Sequence, residues 1–506
     1  MTGVRGAASV GSGLAPAREA RPIRSGERIH VVGAGGAGAS AAALLAYHSG
    51  ADVSGCDPGG PSPYTPPLEA AGIHIDWSHD PSHVSAGPLP ERLAVTKALT
   101  AVDPGNAELV AARAASVPLE PWQQVIADAA FGRTLIGVAG THGKSTTSGW
   151  LVHVLVEAGL DPCAFVGALL PAALTGGLPS TARWGAGAPF VVEADEYAGN
   201  FDPYRPDVAI LTSAEWDHPD VFADRAAVID TFVAWLERAA VTVREPRLVA
   251  NMGDPGVVEV VARLGSWPGK ILATRLWSGK TALTGGPDWL RGTIVAADAS
   301  GTTMTLEGPA LAEPATARLR LAGRHNAANA LGVAGAALSL GIEPDLVAEA
   351  LASFTGVGRR LERKGAGRGV VVYDDYGHHP TAIRETLAAI RQLEPGKPIW
   401  AVYEPLTYHR TAAMLEQFAE VLATADAVAV AEIWASRDPD TTITSAAALA
   451  EATARRRPGM TAVAPGSVEE TAHWLAGKVK AGDAVLVMGG GRSYRIADLL
   501  LEDLAG

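Results

Sequence analysis

A glycine-rich segment that ends in Lys-Ser-Thr has the residue types of a phosphate-binding loop. It reads Gly137-Val-Ala-Gly-Thr-His-Gly-Lys-Ser-Thr146 and stands between a strand pattern and a helical pattern. The backbone amides of such a turn converge on phosphate oxygens, and the start of the helix adds a positive potential. Lys144 supplies a cation, and the Ser145 hydroxyl is a ligand for Mg²⁺. The segment predicts an ATP or GTP site. It is a variant of the usual phosphate-binding loop, because Val138 stands where the usual motif has its first glycine.

Acidic and imidazole side chains follow two further apolar runs. The first run ends in Glu193-Ala-Asp-Glu196, and the run over 208–211 is followed by His218. Polar ligands of parallel sheets bind at the carboxyl ends of strands. Acidic loops and single histidines are usually only solvated, but the phosphate loop upstream favours a functional role here. We therefore expect Glu193 to hold a metal near the phosphates, with Asp195 and Glu196 as alternatives, and His218 to be a second metal contact.

A second glycine-rich turn lies near the N-terminus. Gly33-Ala-Gly-Gly-Ala-Gly38 follows a strand pattern, opens a helical pattern and precedes Asp57, whose carboxylate is placed to meet a ribose or base. An NAD-dependent oxidoreductase is the competing interpretation, but it leaves the Lys144 loop without a purpose. A nucleotide-dependent switch that uses only Lys144 leaves the first loop unexplained. A substrate that carries a diphosphate accounts for both loops.

Composition limits the class of protein. The chain has 506 residues, of which 48% are hydrophobic and 19% charged, and this indicates a folded protein of about three domains. A net charge of −13 argues against binding to nucleic acid or to an anionic membrane surface. Two separate cysteines and the lack of a signal-peptide pattern favour a reducing cytoplasm. Residues 1–27 are predicted to form a flexible tail.

Apolar strand patterns alternate with helical patterns along the chain, which predicts an α/β fold with parallel sheets. A third domain is expected to start near Gly356, where a helical pattern breaks before the strand-like run Val370 to Tyr373. Residues 280–320 are rich in Gly, Thr and Asp and predict hairpins or loops.

Seven motifs in a fixed order resemble the Mur ligase family, over roughly residues 28 to 500. They are His30-Val-Val-Gly-Ala-Gly-Gly-Ala-Gly38, Gly140-Thr-His-Gly-Lys-Ser145, Glu193-Ala-Asp-Glu196, Asp217-His218, Gly323-Arg-His-Asn-Ala-Ala-Asn329, Gly358-Arg-Arg360 and Asp374-Asp-Tyr-Gly-His-His-Pro380. Each motif is modest alone, whereas all seven in this order are specific.

The resemblance implies three domains after the tail. These are an N-terminal Rossmann-like domain that binds a UDP-sugar (28–132), a central P-loop ATPase-like domain (133–355), and a C-terminal Rossmann-like domain that binds the amino acid (356–506). The implied reaction joins L-alanine to UDP-N-acetylmuramate in peptidoglycan synthesis. It consumes ATP, requires Mg²⁺ and passes through an acyl phosphate.

Site residues carry over from the same resemblance. The catalytic residues would be Lys144, Glu193 and His218, and Mg²⁺ would be bound by Ser145, Glu193 and His218. ATP would be bound by Gly140, Thr141, Gly143, Lys144, Ser145, Thr146, His325, Asn326, Arg360 and Asp375. The UDP-sugar would be bound by Gly35, Gly36, Gly38 and Asp57, and the amino acid by Tyr376, His378 and Arg410.

Three segments depart from the alanine-adding members, and one of them is Thr212-Ser213 in place of Thr-Asn. Glu404-Pro-Leu-Thr-Tyr-His-Arg-Thr411 keeps Arg410 but has Thr407 where those members have another arginine, and Thr96-Lys-Ala-Leu99 replaces Ser-Ser-Ala-Ile. Glu215-Trp-Asp-His218 leans toward members that attach a tripeptide to the same UDP-sugar during murein recycling. The acceptor amine is thus either L-alanine or a tripeptide.

Overall fold

The protein, described from a computed structural model over residues 10–277, 288–435, 438 and 440–505, contains three β-sheets that follow one another along the chain. Most central strands are apolar and buried on both faces, as expected for parallel strands covered by helices. The predicted α/β class is confirmed. Among the described helices, none combines the length and apolar character needed to cross a membrane.

The first sheet has five parallel strands in the order β3-β2-β1-β4-β5. The strands are β1 (Arg28–Val32), β2 (Asp52–Cys56), β3 (His74–Asp76), β4 (Arg92–Val95) and β5 (Leu119–Pro121). The helices are α1 (Ala37–His48), α2 (Pro66–Ala70), α3 (Ser82–Ser85), α4 (Lys97–Val102), α5 (Ala107–Ala114) and α6 (Trp122–Ala129). The first glycine loop lies at the carboxyl end of the central strand β1.

The segment that precedes β1 packs on this domain. The Ala15 amide donates to the Leu119 carbonyl at 2.7 Å, and the Arg18 guanidinium pairs with Glu120 at 2.8 Å and with the buried Asp128 at 2.7 Å. Buried carboxylates require such cationic partners. The predicted flexible tail is therefore wrong for this part of residues 1–27, while residues 1–9 lie outside the described residues.

The second sheet has ten strands in the order β15-β14-β13-β12-β11-β10-β6-β9-β7-β8. They are β6 (Thr134–Ala139), β7 (Cys163–Leu170), β8 (Ser180–Arg183), β9 (Pro189–Ala194), β10 (Val208–Leu211), β11 (Arg247–Asn251), β12 (Lys270–Leu276), β13 (Trp289–Asp298), β14 (Gly301–Glu307) and β15 (Ala315–Leu319). The helices are α7 (Lys144–Glu157), α8 (Ala172–Thr175), a 3₁₀ turn (Tyr197–Gly199), α9 (Arg225–Thr242), α10 (Pro255–Leu264), α11 (Arg324–Ser339) and α12 (Pro344–Ser353).

Within the segment 280–320, the predicted hairpins correspond to β13, β14 and β15, which pair in an antiparallel manner. The part of this prediction that falls on 280–287 lies outside the described residues. The parallel strands β10, β6 and β9 are neighbours at the centre of the sheet, so their carboxyl ends meet. The phosphate loop, the acidic segment after β9 and the Thr212–His218 segment are therefore brought together.

The third sheet has six strands in the order β16-β17-β21-β18-β19-β20, and only β16 is antiparallel to its neighbour. The strands are β16 (Glu362–Gly367), β17 (Val370–Asp375), β18 (Ile399–Glu404), β19 (Ala427–Ala431), β20 (Thr461–Gly466) and β21 (Ala484–Gly489). The helices are α13 (Pro380–Leu393), α14 (Tyr408–Ala413), α15 (Leu415–Leu422), α16 (Ala446–Arg456), α17 (Val468–Ala476) and α18 (Tyr494–Ala505).

Candidate active site

The phosphate loop occupies the turn between β6 and α7. Gly140 and Gly143 have φ angles of 137° and 79°, a region that favours glycine. A Cβ atom at Gly140 would lie 2.2 Å from the Thr212 Oγ1 atom, so the loop has no room for a side chain there. The His142 amide donates to the Ser213 hydroxyl at 2.9 Å, which fixes the loop against the end of β10. The start of α7 thereby faces the cleft with its free amides.

Lys144 lies at the centre of a partly buried charge cluster, in which Glu196 is the buried member. Its ammonium donates to the Gly140 carbonyl at 2.7 Å and to Glu196 at 2.9 Å, and Asp195 lies 3.5 Å away. Burial disfavours the ammonium, but the two carboxylates outweigh it and raise the pKa of Lys144. Lys144 is the shared cationic partner of Asp195 and Glu196, and the pKa values of these two acids shift in opposite directions. Burial opposes the charge on Asp195, but Lys144 outweighs it and lowers the Asp195 pKa, whereas burial raises the pKa of Glu196 to about 7. Lys144 is therefore held charged at the mouth of the loop.

Ser145 and Glu193 form the pair of oxygen donors that the sequence predicts for a metal. The Ser145 hydroxyl donates to Glu193 Oε1 at 2.9 Å, and Glu193 Oε2 accepts the Gly167 amide at 2.6 Å. Arg360, from the C-terminal domain, donates to the Ser145 hydroxyl oxygen at 2.8 Å. Hydroxyl and carboxylate oxygens beside a phosphate loop suit Mg²⁺, which prefers hard oxygen ligands.

His218 contributes to a second set of donors, with Asp195 and Glu196, whose ligand atoms lie within 4.8 Å of one another. Burial lowers the pKa of His218 to about 4, so the ring is neutral near pH 7. Arg410 donates to its Nδ1 at 3.1 Å, which places the ring proton on Nε2. A nitrogen of His218 becomes free for a metal only when Arg410 moves away.

Arg410 joins the C-terminal domain to the central domain through a buried ion pair. Its guanidinium lies 2.8 Å from Asp217 Oδ1, and both side chains are almost fully buried. Burial opposes the charge on Asp217, but Arg410 outweighs it and lowers the Asp217 pKa well below its usual range. Arg410, the residue predicted to bind the amino acid, is thus paired with a carboxylate of the protein. The carboxylate of an incoming amino acid would compete with Asp217 for the Arg410 guanidinium.

Two cavities of about 400 and 410 Å³ flank the phosphate loop, and the lining residues that they share include Gly143 and Arg360. The first cavity contains the predicted ATP residues His325, Asn326, Arg360 and Asp375, together with Thr146. Asp375 accepts the amides of Leu361 and Gly377 at 2.7 and 2.8 Å, so it orders the C-terminal wall of this cavity.

The second cavity collects the remaining predicted groups. Its lining includes Gly38, Thr141, Lys144, Glu193, His218, Tyr376, His378 and Arg410. The Tyr376 ring packs against Arg360, with 4.9 Å from its centroid to the guanidinium carbon. Residues that follow strands of the first and third sheets thus meet residues of the second sheet around one cleft.

The first glycine loop borders the second cavity through Ala37 and Gly38. Gly35 and Gly36 form the preceding turn, and Asp57 is turned toward the loop itself: its Oδ2 accepts the Gly35 amide at 2.9 Å and its Oδ1 the Gly59 amide at 2.8 Å. The Asp57 carboxylate therefore orders the loop, in addition to any contact with a ribose that the sequence predicts.

Sequence reasoning assigned no role to Trp122 and Asn329, which line the cleft, or to Lys97, which lies outside both cavity linings. Trp122 begins α6, lines the second cavity and lies against Gly38, where a Cβ atom would be 2.2 Å from the indole ring. Asn329 lies against Gly143 in the same way. Lys97 reaches across to the central domain and donates to the carbonyls of Ala198 and Gly199 at 2.8 and 2.9 Å. The position of Trp122 directly after β5 is the signal that the strand-end rule offers.

Family models match most of the chain. "Mur ligase family, catalytic domain" matches residues 28–133, "Mur ligase middle domain" matches 138–337, and "Mur ligase, glutamate ligase domain" matches 359–491. The chain belongs to the Mur ligase family. The resemblance predicted from the seven motifs is confirmed.

Named Mur ligases are similar along most of their length. A UDP-N-acetylmuramate--L-alanine ligase of Frankia casuarinae is 36% identical over 82% of this chain and 84% of its own. An enzyme of the same name from Roseiflexus sp. is 33% identical over 94% of this chain and 98% of its own.

Solved structures of Mur ligases have the same fold. The UDP-N-acetylmuramate-alanine ligase of Thermotoga maritima has a TM-score of 0.74 at 25% identity and covers 94% of this chain and 98% of its own. A murein peptide ligase of Psychrobacter arcticus has a TM-score of 0.71 at 25% identity and covers 95% of this chain and 99% of its own.

Proposed function

We propose that this Mur ligase joins L-alanine to UDP-N-acetylmuramate, with ATP and Mg²⁺, through an acyl-phosphate intermediate. The observation that carries the proposal is the convergence of Lys144, Glu193, Arg360 and Arg410 on one cleft. Phosphoryl transfer requires stabilisation of charge on the transferred group, and a carboxylate acceptor requires a second set of cations. The alanine-ligase relatives support the choice of substrates.

The first chemical step is attack of the muramate carboxylate on the γ-phosphorus, which releases ADP. The ammonium of Lys144 and the amides at the start of α7 stabilise the negative charge of the phosphoryl oxygens. Ser145 and Glu193 would hold Mg²⁺, which supplies charge neutralisation when it is bound. In this proposal Arg360 adds a cation from the C-terminal domain, so that the phosphate site is complete only when the domains are closed.

The second step is attack of the amine on the acyl phosphate, through a tetrahedral intermediate that expels phosphate. We assign Arg410 to the carboxylate of the incoming amino acid, with Tyr376 and His378 beside it. Burial lowers the pKa of His378 well below its usual range, so its ring is neutral. Because Arg410 also contacts His218, binding of the amino-acid carboxylate would release His218 toward the cleft.

ATP is assigned to the first cavity, with His325 and Asn326 beside the adenine and Asp375 beside the nucleotide. Gly140, Thr141, Gly143 and Thr146 complete the phosphate site. The UDP-sugar is assigned to Gly35, Gly36, Gly38 and Asp57. A UDP-sugar bound at the first glycine loop would then extend its sugar into the cavity that Gly38 and Trp122 line.

Thr407 supports a second candidate acceptor, the tripeptide of murein recycling. This residue has a φ of 66° and caps α14, because its hydroxyl accepts the Arg410 amide at 3.4 Å. The position therefore orders the helix that carries Arg410 and supplies no second cation for an amino-acid carboxylate. A longer acceptor with its charge elsewhere fits such a site as well.

The test is phosphate release by the full chain with ATP, Mg²⁺ and UDP-N-acetylmuramate, with L-alanine, other amino acids or the tripeptide as the acceptor. We expect release with L-alanine above every other acceptor. Release with the tripeptide alone would move the assignment to recycling. No release with any acceptor would overturn the ligase proposal.

A further inference from the structure

We propose that the N-terminal domain contains a metal site of the type that binds Zn²⁺, formed by His30, Cys56, His83 and Glu108. One ligand atom of each residue lies within 4.8 Å of the ligand atoms of the other three. Sulfur, imidazole nitrogen and carboxylate oxygen are the donors of tetrahedral zinc sites. The catalytic cleft offers oxygen and nitrogen donors instead, so the two sites differ in chemistry.

The fold itself brings the four residues to one face of the first sheet. His30 is in the central strand β1 and Cys56 ends the neighbouring strand β2, while His83 is on α3 and Glu108 is in the first turn of α5. Asn106 caps α5 by accepting the Glu108 amide at 3.1 Å, which fixes the start of that helix. The ligands therefore come from four separate elements that are each held in place by the domain.

His30 supplies the observation that points to a ligand. The residue is 1% exposed, its Nδ1 lies 2.9 Å from the Ser54 hydroxyl, and among the described residues its Nε2 has no hydrogen-bond partner. Buried ring nitrogens are normally paired. A proton on Nδ1, donated to Ser54, leaves a lone pair on Nε2, which is the form of imidazole that binds a metal.

Glu108 is fully buried and gathers the other donors around its carboxylate. Cys56 Sγ and His79 Nδ1 each lie 3.0 Å from its Oε2, and His83 is hydrogen-bonded to its Oε1. A hydrogen-bonded cluster without a metal would satisfy Glu108, but it leaves the Nε2 atom of His30 unexplained. A divalent cation satisfies both, since one thiolate and one carboxylate balance its charge while the two imidazoles remain neutral.

Two further features fit a metal site. Asp76 lies 3.5 Å from His83 Nε2, as expected of a carboxylate that orients a ligating histidine from behind. The His83 and His79 side chains are 12% and 19% exposed, so an ion has a route from solvent to the otherwise buried cluster.

The site has a consequence for the first glycine loop. The Cys56 carbonyl accepts the amides of Gly33 and Ala34 at 2.8 and 3.0 Å, so a metal that fixes Cys56 also fixes the start of this loop. The metal would act as a structural support of the domain, away from the phosphate loop and independent of which acceptor the ligase uses.

Cobalt substitution tests the site directly, because Co²⁺ bound to a thiolate gives a charge-transfer absorption that oxygen and nitrogen ligands do not give. The full chain is first reduced and stripped of metal with a chelator, and Co²⁺ is then added. We expect the charge-transfer band to appear and its intensity to saturate at one Co²⁺ per chain. Added Zn²⁺ should abolish the band by displacement. Absence of a thiolate band in the wild-type chain would overturn the proposal.

Cys163 provides a matched control, since it is the other buried cysteine and lies against the Gly185 carbonyl in the central domain. We expect Cys56→Ser to lose the band and Cys163→Ser to retain it, with both chains folded by circular dichroism. A band that persists in Cys56→Ser would contradict the assignment.

A second variant covers the case in which Cys56→Ser fails to fold. His83→Gln changes a partly exposed ligand on a short helix, and we expect it to keep the thiolate band but to bind Co²⁺ at least about tenfold more weakly in competition with a chelator. Unchanged affinity in His83→Gln would remove this residue from the site and overturn the four-ligand proposal.

Discussion

The two glycine-rich loops of this protein follow the same local plan but differ in charge. Each follows a central strand that has parallel neighbours on both sides and opens a helix, at β1–α1 and at β6–α7. The second loop carries the ammonium of Lys144, whereas the first has the carboxylate of Asp57 on its Gly35 amide. The glycines set the course of the backbone, and we expect the neighbouring charged residue to decide which ligand each loop binds.

The space around the glycines differs as well. Gly140 faces backbone atoms of Ser213, with a Cβ distance of 2.8 Å to the nitrogen, so nothing can move aside. Gly38 faces the side chain of Trp122. We infer that backbone contacts rigidly require glycine at position 140, whereas glycine at position 38 is required by one aromatic ring that a different sequence could replace.

Removal of the Lys144 ammonium should have the largest effect. Lys144→Ala removes the side-chain cation that we assign to the phosphoryl oxygens, and we expect phosphate release to fall by about 10²–10³-fold or more with the fold intact. Lys270→Ala, at an exposed lysine of the same domain, should keep wild-type activity. Activity of Lys144→Ala within about tenfold of wild type would remove this lysine from the mechanism.

Gly140→Ala should destabilise the chain by about 2–4 kcal/mol, because a Cβ atom meets the end of β10 and the φ of 137° disfavours alanine. Gly159→Ala is the matched control: its φ is 71°, but a Cβ atom there has open space within 4 Å. We expect about 1 kcal/mol for that control, from the backbone conformation alone. Urea denaturation measures both, and equal losses would show that the packing argument is wrong.

Gly38→Ala should cost about 1–3 kcal/mol through its clash with the Trp122 indole. The cost should be recovered in large part by adding Trp122→Leu, since the shorter side chain withdraws from the new methyl group. The double-mutant cycle in urea would then give a coupling energy of opposite sign to the two single losses. Additive losses would mean that Trp122 does not limit the residue at position 38.

Local sequence patterns are sufficient to predict the phosphate site, because the order of strands in the sheet brings the residues of that site together. Lys144 and Ser145 follow β6, and Glu193 lies at the carboxyl end of β9. Because these strands are adjacent and parallel, residues at their carboxyl ends must meet. The strand–turn–helix pattern therefore predicts both the elements and the Ser145–Glu193 contact. The Gly-rich segment after 280 was likewise recognisable as hairpins, because turn-forming residues alternate with strand formers.

Patterns of this kind do not reveal partners that are far apart in sequence. Arg18 falls in the predicted flexible tail, because residues 1–27 contain several arginines and no continuous apolar core, yet its two carboxylate partners lie more than 100 residues away. The Arg410–Asp217 pair spans 193 residues and joins two domains. Such ion pairs depend on how whole domains pack, which hydrophobic periodicity does not encode.

A substitution at Asp57 should have the smallest effect, and it tests whether the two glycine-rich loops bind different ligands. Asp57→Asn keeps the shape of the side chain but replaces one acceptor of the Gly35 or Gly59 amide by a donor, which loosens the first loop. We expect the KM for UDP-N-acetylmuramate to rise about tenfold, because a lost charge-assisted hydrogen bond is equivalent to about 1.5 kcal/mol of binding. The KM for ATP should stay within about twofold, since we assign that ligand to the Lys144 loop.

The exposed Asp52, at the start of β2 in the same domain, offers the control Asp52→Asn, which should leave both KM values unchanged. If Asp57→Asn raises both KM values equally, the two loops do not bind separate ligands, and the division of roles between them is wrong. If only the KM for ATP rises, the assignment of the loops is reversed. If only the KM for UDP-N-acetylmuramate rises, the diphosphate binds at the first glycine-rich loop, beside Asp57. Backbone amides would then bind the diphosphate there, in place of a lysine.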